Sequence, residues 1–294
     1  MLPLAIVPEL EKLLKNHTQK EAIIDETTAV GGGSINAAYR LSYAGKSFFL
    51  KYNNASHFPK MFEKEALGLK LLSESQSLRI PQIIGHSSKG QTSFLLLEYI
   101  EQGQTDKQFW ENFGHGLARL HRNSHPTFGL NHSNFIGSLD QFNTSETSWA
   151  DFFIRQRLQP QIELAKRNAL LSTKMLTDFE KLFMLLPSLF PEEAPALLHG
   201  DLWSGNFLCS QSGEAVLIDP AVYYGHREMD IGMSKLFGGF HPRFYEAYNA
   251  AWPLEKGWKQ RIDLCNLYPL LVHVNLFGGG YVGQLERCLS KFAN

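Results

Sequence analysis

Cysteine is scarce in this chain: Cys209, Cys265 and Cys288 are the only three in 294 residues, at wide and uneven spacing. That excludes a disulfide framework and the paired-cysteine zinc motifs, and it fits a reducing, cytoplasmic setting. Surplus charge is absent too. The 28 basic and 29 acidic residues leave a net charge of −1, with no block of one sign. Neither nucleic acid nor an anionic membrane is therefore the expected partner. No apolar run approaches a membrane span, and the opening stretch, Met1 to Pro8, lacks a basic start and is broken by prolines, unlike a signal peptide. There is no Gly-x-Ser-x-Gly elbow and no Walker A string, which argues against a serine hydrolase and a P-loop NTPase. The 11 histidines show no metal-ligand spacing. Internal repeats, low-complexity tracts and flexible linkers are missing as well.

What is present is ordinary globular chemistry, 44% apolar and 19% charged, enough for one two-lobed catalytic unit or two small domains. The most informative stretch runs from Ala196 to Pro220 and reads ALLHGDLWSGNFLCSQSGEAVLIDP. An apolar approach delivers His199-Gly200-Asp201; Asn206 follows, and then an apolar strand ends in Asp219. Phosphoryl-transfer enzymes of the kinase-like fold use this spacing. Asp201 is the expected catalytic base, taking the proton of an attacking hydroxyl. Asn206 and Asp219 are the expected magnesium ligands, because a hard cation leaning on substrate phosphate needs few protein oxygens. Asx-turn chemistry is the plainer explanation of an isolated Asp-x4-Asn pair; the surrounding residues and the upstream order favour the catalytic one.

Upstream, Pro8 to His17 has helical spacing, and three strands are expected near 21–30, 36–43 and 46–52. The first two are joined by Gly31, Gly32, Gly33 and Ser34, a hairpin whose backbone N–H groups can approach phosphates; glycine runs more often make plain turns. Lys51 ends an apolar strand, and a helix over 59–72 carries Glu63 and Glu65. In a kinase this lysine bonds the α- and β-phosphates of ATP and pairs with a glutamate on the next helix. Strands near 82–86 and 92–97 lead into Glu98, Tyr99 and Ile100. Beyond Gln104 the pattern is mainly helical, with helices over 109–121, 149–168, 172–186, 242–248, 258–277 and 281–292. A polar loop from Phe128 to Asn143 interrupts it. The fold class expected is α+β and bilobal, protein-kinase-like, with an antiparallel N-terminal sheet plus helix (1–102) and a mainly helical C-terminal lobe (103–294).

His-Gly-Asp-Leu-Trp-Ser-Gly-Asn, followed by Ile-Asp-Pro-Ala-x-Tyr-Tyr-Gly-His-Arg-Glu-x-Asp, resembles the fructosamine kinase (ketosamine-3-kinase) family over nearly the whole chain. The resemblance implies an ATP- and magnesium-dependent kinase acting on the sugar 3-hydroxyl of a ketoamine, either a small molecule or a glycated protein lysine, with a deglycation role. It selects Glu65 over Glu63 as the partner of Lys51, and it makes Glu98, Tyr99 and Ile100 the adenine hinge. It also implies that the loop containing Asn134 and Gln141 lies near the acceptor, that Trp203 stacks on the ligand rather than only filling space, and that His226, Arg227 and Glu228 supply polar contacts. His199 and Asp230 are expected to brace the catalytic loop. Family members commonly carry cysteine where Ser34 stands, so no thiol switch is expected there. His-Gly-Asp and Asp-Pro-Ala in place of His-Arg-Asp and Asp-Phe-Gly argue against a protein kinase. Another small-molecule kinase of this fold, acting on an aminoglycoside, choline or homoserine, and a non-catalytic nucleotide-binding regulator are the alternatives.

Overall fold

The computed structural model describes residues 2–31 and 36–292. Gly32, Gly33 and Ser34 lie outside the described residues. The N-terminal part is helix α1 (Val7–Thr18), strands β1 (Ile24–Ala29), β2 (Ala37–Tyr43) and β3 (Lys46–Asn54), helix α2 (Met61–Glu74), and strands β4 (Ile83–Lys89) and β5 (Thr92–Glu98). The strands form one antiparallel sheet in the order β1-β2-β3-β5-β4. Ala44 and Gly45 join β2 to β3 with φ of +51° and +76°, the left-handed pair that a two-residue hairpin requires.

Strand periodicity explains how this sheet is covered. Successive side chains of a strand point to opposite faces. Phe94 and Leu96 of β5 therefore pack with Leu10 and Leu14 of α1, while Leu95 and Leu97 pack with Phe62, Ala66 and Leu69 of α2. A strand buried on both sides has to be apolar throughout, as Phe94 to Leu97 is. The same alternation places Lys51, opposite Leu95 in the ladder, on the α2 side of β3. That geometry puts its ammonium within reach of the helix.

The chain then passes through 99–103 to the helical lobe. Close approach fixes this crossing: a Cβ on Gly103 would sit 2.4 Å from the Ser210 carbonyl oxygen, and Gly103 N–H donates to Cys209 O at 2.8 Å. Helix α3 (Lys107–His121) starts at Asp106, whose carboxylate accepts from Phe109 N–H at 2.7 Å, the usual way to satisfy an orphan N-terminal donor. After it come the hairpin β6 (Asn134–Ile136) and β7 (Leu139–Gln141), and helices α4 (Trp149–Phe152), α5 (Gln159–Arg167) and α6 (Thr173–Leu189). Short strands β8 (Ala196–Leu198), β9 (Phe207–Cys209), β10 (Ala215–Leu217) and β11 (Tyr223–Gly225) follow. Helices α7 (Glu228–Leu236), α8 (Pro242–Ala251), α9 (Trp258–Cys265), α10 (Leu267–Phe277) and α11 (Val282–Leu289) complete the fold.

Two expected helices are broken, each by a proline. Residues 258–277 form two helices, since Pro269 has no N–H to give Cys265 and its ring crowds that carbonyl. Residues 149–168 contain a π-helical segment, Phe153–Leu158, just before Pro160. Pro160 cannot bond Gln156 O, and Arg157 takes that carbonyl instead at 3.1 Å. No helix among the described residues is long and apolar enough to cross a membrane.

Candidate active site

A cavity of about 570 Å³ opens between the sheet and the helical lobe. Gly31, Lys51, Glu65, Glu98, Tyr99, Ile100, Asp201, Trp203, Asn206 and Asp219 all line it. One end is built from Ala38, Leu97, Ile100, Leu208 and Ile218, an apolar slot beside the 98–100 backbone. The other is built from Asn134 to Gly137, Trp203, Val272, His273, Leu276 and Phe277.

Between these ends lies the charged centre. Lys51 Nζ is 2.6 Å from Glu65 Oε1 and 2.7 Å from Asp219 Oδ1. Burial pulls the Lys51 pKa down, but the two carboxylates outweigh it and hold it above its ordinary value. Glu65, buried itself, is pushed up by the loss of water and pulled back by Lys51. Asp219, two residues past β10, has φ of +54°, a left-handed conformation that Asp tolerates better than most residues, and its carboxylate stays half-exposed to the cavity.

Asp201 stands opposite. Asn206 Nδ2 donates to its carboxylate at 2.9 Å and to its backbone carbonyl at 2.8 Å, which leaves the Asn206 carbonyl oxygen for another partner. Burial pushes the Asp201 carboxyl up to about 7; the Asn206 bond opposes the rise, and the charges of Asp219 and Asp230 add to it. A carboxylate poised near neutrality suits a general base. The loop is shaped by Gly200, with φ of +85° and no room for a side chain, since a Cβ would meet Ala221 O at 2.0 Å.

Behind the loop lies Asp230, fully buried. Its carboxylate accepts from His199 N–H at 2.8 Å and Gly200 N–H at 2.9 Å, and meets His121 Nε2 at 3.1 Å. Burial alone would raise its pKa, yet His121 and these donors hold it below the ordinary range. His199 Nε2 bonds Ile218 O at 2.9 Å and its Nδ1 accepts from Asp201 N–H at 3.3 Å. Both ring nitrogens are thus spent on backbone, and burial lowers the ring's pKa. His199 is a brace, with no lone pair left for proton abstraction.

At the hinge, the Glu98 side chain is held by Arg79 at 2.5 Å and by Gln82 N–H at 3.1 Å, and its own N–H donates to Gln82 O at 2.8 Å. Arg79 also reaches Glu214 at 3.1 Å, which ties the hinge to the β9–β10 turn.

The expectation for His226, Arg227 and Glu228 is corrected by the structure. None lines the cavity, and all three are buried. His226 is packed between the rings of Trp149 and Phe190. Arg227 is bonded to both oxygens of Glu193 and to the carbonyls of Trp252 and Pro253. Glu228 takes Arg261 at 2.7 and 2.5 Å. Their partners lie more than twenty residues away in sequence, so a local polar cluster looked like a binding site when it is a strut. Trp203 is 37% exposed and lines the cavity. Its ring lies over Gly205, where a Cβ would fall 2.3 Å from the indole.

Two parts of this second end of the cavity carry no motif. The first is Arg157, fully buried among the rings of Tyr223, Phe152 and Tyr268. It bonds Phe142 O and Asn143 Oδ1, and Asn143 and Gln141 in turn bond Asn134 Oδ1 at 2.9 and 2.8 Å. Asn134 Nδ2 is held by Val222 O at 2.8 Å. This network fixes the 134–143 loop as a rigid wall and uses up the Asn134 side chain. The second is α10. His273 Nδ1 bonds Pro269 O at 2.7 Å, so its Nε2, the nitrogen left over, has no hydrogen-bond partner among the described residues. Burial lowers its pKa. The signal available in sequence was weak, because an apolar helix with one histidine reads as core.

Known proteins resemble this chain over nearly its whole length. The family model for fructosamine kinase matches residues 6–294. A Synechocystis protein named a probable ketoamine kinase is 42% identical over 269 residues, covering 91% of this chain and 90% of its own. The chloroplastic protein-ribulosamine 3-kinase of Arabidopsis thaliana is 39% identical, covering 89% of this chain and 81% of its own. Among solved structures, a Thermobifida fusca protein assigned as a fructosamine-3-kinase superimposes with a TM-score of 0.88 at 33% identity, over 97% of both chains. An aminoglycoside phosphotransferase shares the fold at a TM-score of 0.64 and 15% identity, over 97% of this chain and 99% of its own.

Proposed function

Because the chain belongs to the fructosamine kinase family, we propose that it transfers the γ-phosphoryl group of ATP to the 3-hydroxyl of a ketoamine, fructosamine or ribulosamine, free or on a protein lysine. The enzyme is a phosphotransferase with an alcohol acceptor. Chief support comes from one juxtaposition: Asp201, held by Asn206 at 2.9 Å, shares a cavity with the Lys51–Asp219 pair. In this reading Asp201 orients the sugar hydroxyl and takes its proton, while Lys51, fixed by Glu65, neutralises phosphate charge. Positioning and charge neutralisation supply most of the acceleration in phosphoryl transfer.

The residues present suit magnesium. Asn206 offers an amide oxygen and Asp219 a half-exposed carboxylate, both hard oxygen donors. Among the described residues no group of three or more His, Cys, Asp or Glu side chains could hold a metal ion, so the phosphates of ATP would complete the site. Magnesium, when bound, offsets the negative charge of those phosphates. The 98–100 backbone and its apolar slot take adenine, Trp203 stacks on the sugar, and His273 Nε2 accepts a hydrogen bond from it. Residues 1–102 serve as the nucleotide lobe and 103–294 as the acceptor lobe, in a cytoplasmic enzyme. Phosphorylation at the third carbon would make the adduct prone to fall off, a deglycation role.

Glu65→Ala removes one of the two carboxylates that hold Lys51 and leaves its ammonium paired with Asp219 alone. The expected result is a loss of about 10²-fold in kcat/KM for ATP, measured at saturating acceptor. The function itself is tested by ATP turnover with magnesium on ribulose-lysine, fructose-lysine, choline and kanamycin. Turnover confined to the ketoamines is expected; turnover only on choline or kanamycin would move the enzyme to another acceptor class.

A further inference from the structure

The acceptor end of the cavity opens onto an aromatic apron. Trp203, His273 and Phe277 line the cavity, and the ring contacts continue outward from them. Trp203 meets Phe237 at 6.3 Å, Phe237 meets His273 at 4.8 Å, and His273 meets Phe277 at 5.5 Å and Tyr281 at 4.9 Å. Phe237 is 38% exposed and Phe277 55%. Each ring leaves a large share of its apolar surface in water beside a polar reaction centre, and that exposed share contributes nothing to the fold.

The chemistry of the substrate says what meets them. In a ketoamine the nitrogen sits on the first carbon, two carbons from the hydroxyl that would be placed at Asp201. Whatever the nitrogen carries must extend out of the sugar site toward the mouth. The electrostatics there suit one kind of substituent. Among the described residues lining the cavity the carboxylates are Glu65, Glu98, Asp201 and Asp219. Glu65 and Asp219 are engaged by Lys51 and Glu98 by Arg79, so of the four only Asp201, at the reaction centre, is without a cationic partner, too little acid to receive a polycationic chain. A single ammonium is tolerated: α7 and α10 end beside the apron, at Phe237 and Gly278, and helix C-termini favour positive charge.

Resting on the ketosamine kinase reading, we propose that Phe237 and Phe277 form the subsite for the amine substituent, and that this subsite selects ketoamines whose nitrogen carries an extended apolar stem. A lysine side chain has such a stem, four methylenes long, and simple alkylamines supply the same chemistry. Next to each phenylalanine the approach is open: Gly238, Gly278, Gly279 and Gly280 have no neighbour within 4 Å of where a side chain would begin, whereas Gly239 packs on Ser204.

The test is a series of fructosyl adducts of methylamine, butylamine and hexylamine, together with glycated Nα-acetyllysine and a glycated folded protein. In the wild-type enzyme kcat/KM should climb by tenfold or more from methyl to hexyl, below the limit of roughly fourfold per fully buried methylene. Phe277→Ser and Phe237→Ser should collapse the hexyl-to-methyl ratio toward one, with KM for ATP as the internal control, and Phe277→Leu should restore it in part. High activity on acetyllysine with little on the glycated protein would assign the subsite to free adducts, and comparable activity would assign it to both. A flat wild-type series, or a ratio unmoved by both serine variants, overturns the subsite while leaving the kinase reading intact. Failure of every adduct to turn over overturns the kinase reading and the subsite together.

Discussion

Replacing Asp201 with asparagine is expected to lower kcat on a ketoamine by about 10²–10⁴-fold, the range that a general base supplies, while KM for ATP changes little. The same substitution should make the protein more stable at pH 8. The folded-state pKa of Asp201 is raised to about 7 by burial against the opposing Asn206 bond. A carboxyl whose pKa is higher in the fold than in the unfolded chain is ionised at a cost above about 7. That cost fades as the pH falls toward the unfolded value, roughly 3.9. Asparagine removes it. Thermal melts of the two proteins should therefore differ most at pH 8 and converge toward pH 4. A wild-type protein that melts higher than the variant at pH 8 would contradict this account of the site. Activity should show the complementary trend, with kcat/KM for ATP falling as the pH drops below about 7 because Asp201 takes up a proton.

Asp230→Ala, on α7 behind the catalytic loop, should be strongly destabilising. The substitution strands the buried N–H of His199 and the half-buried N–H of Gly200, and removes the partner of His121. Each stranded donor costs about 1–3 kcal/mol, so the loss is on the order of 2–6 kcal/mol, read as a Tm lower by roughly 10 °C. Asp230→Asn keeps one acceptor but turns an amide N–H₂ toward one of the donors, and should fall between. The Asp230 pKa is lowered in the fold, so its contribution is present above the unfolded pKa and is lost as the pH falls through the folded one. Acid melts of the wild type and the alanine variant should therefore converge at low pH. Equal stability of the two at pH 7 would remove Asp230 from its place as the brace.

The legible parts of the site were those whose geometry is local or ordered along the chain. Asp201 and Asn206 sit in one loop, so their spacing already encodes the 2.9 Å bond between them. Lys51 could be paired with a glutamate of the following helix from the order of elements along the chain, while the choice of Glu65 over Glu63 came from the family resemblance. The α+β division was likewise readable, from the shift between a period of two and a helical one. Three things were not legible. The polar run His226-Arg227-Glu228 looked like a ligand site, and only the distant partners Glu193 and Arg261 reveal it as buried scaffolding. The acceptor wall on α10 was hidden inside an apolar helix, since pattern alone cannot separate a residue facing the core from one facing a cavity. Arg157 was invisible because the π-helical segment that turns it inward depends on Pro160, and because its counterparts are carbonyls and rings instead of a carboxylate.

The central claim is that Asp201 directs transfer to one sugar hydroxyl. It is tested most directly by phosphorus NMR of the product formed from ribulose-lysine, ATP and magnesium. The account predicts a single phosphomonoester coupled to the proton on the third carbon, formed by the wild type and missing with Asp201→Asn. A phosphate on any other hydroxyl, or the same product formed at an undiminished rate by the Asp201 variant, would contradict it.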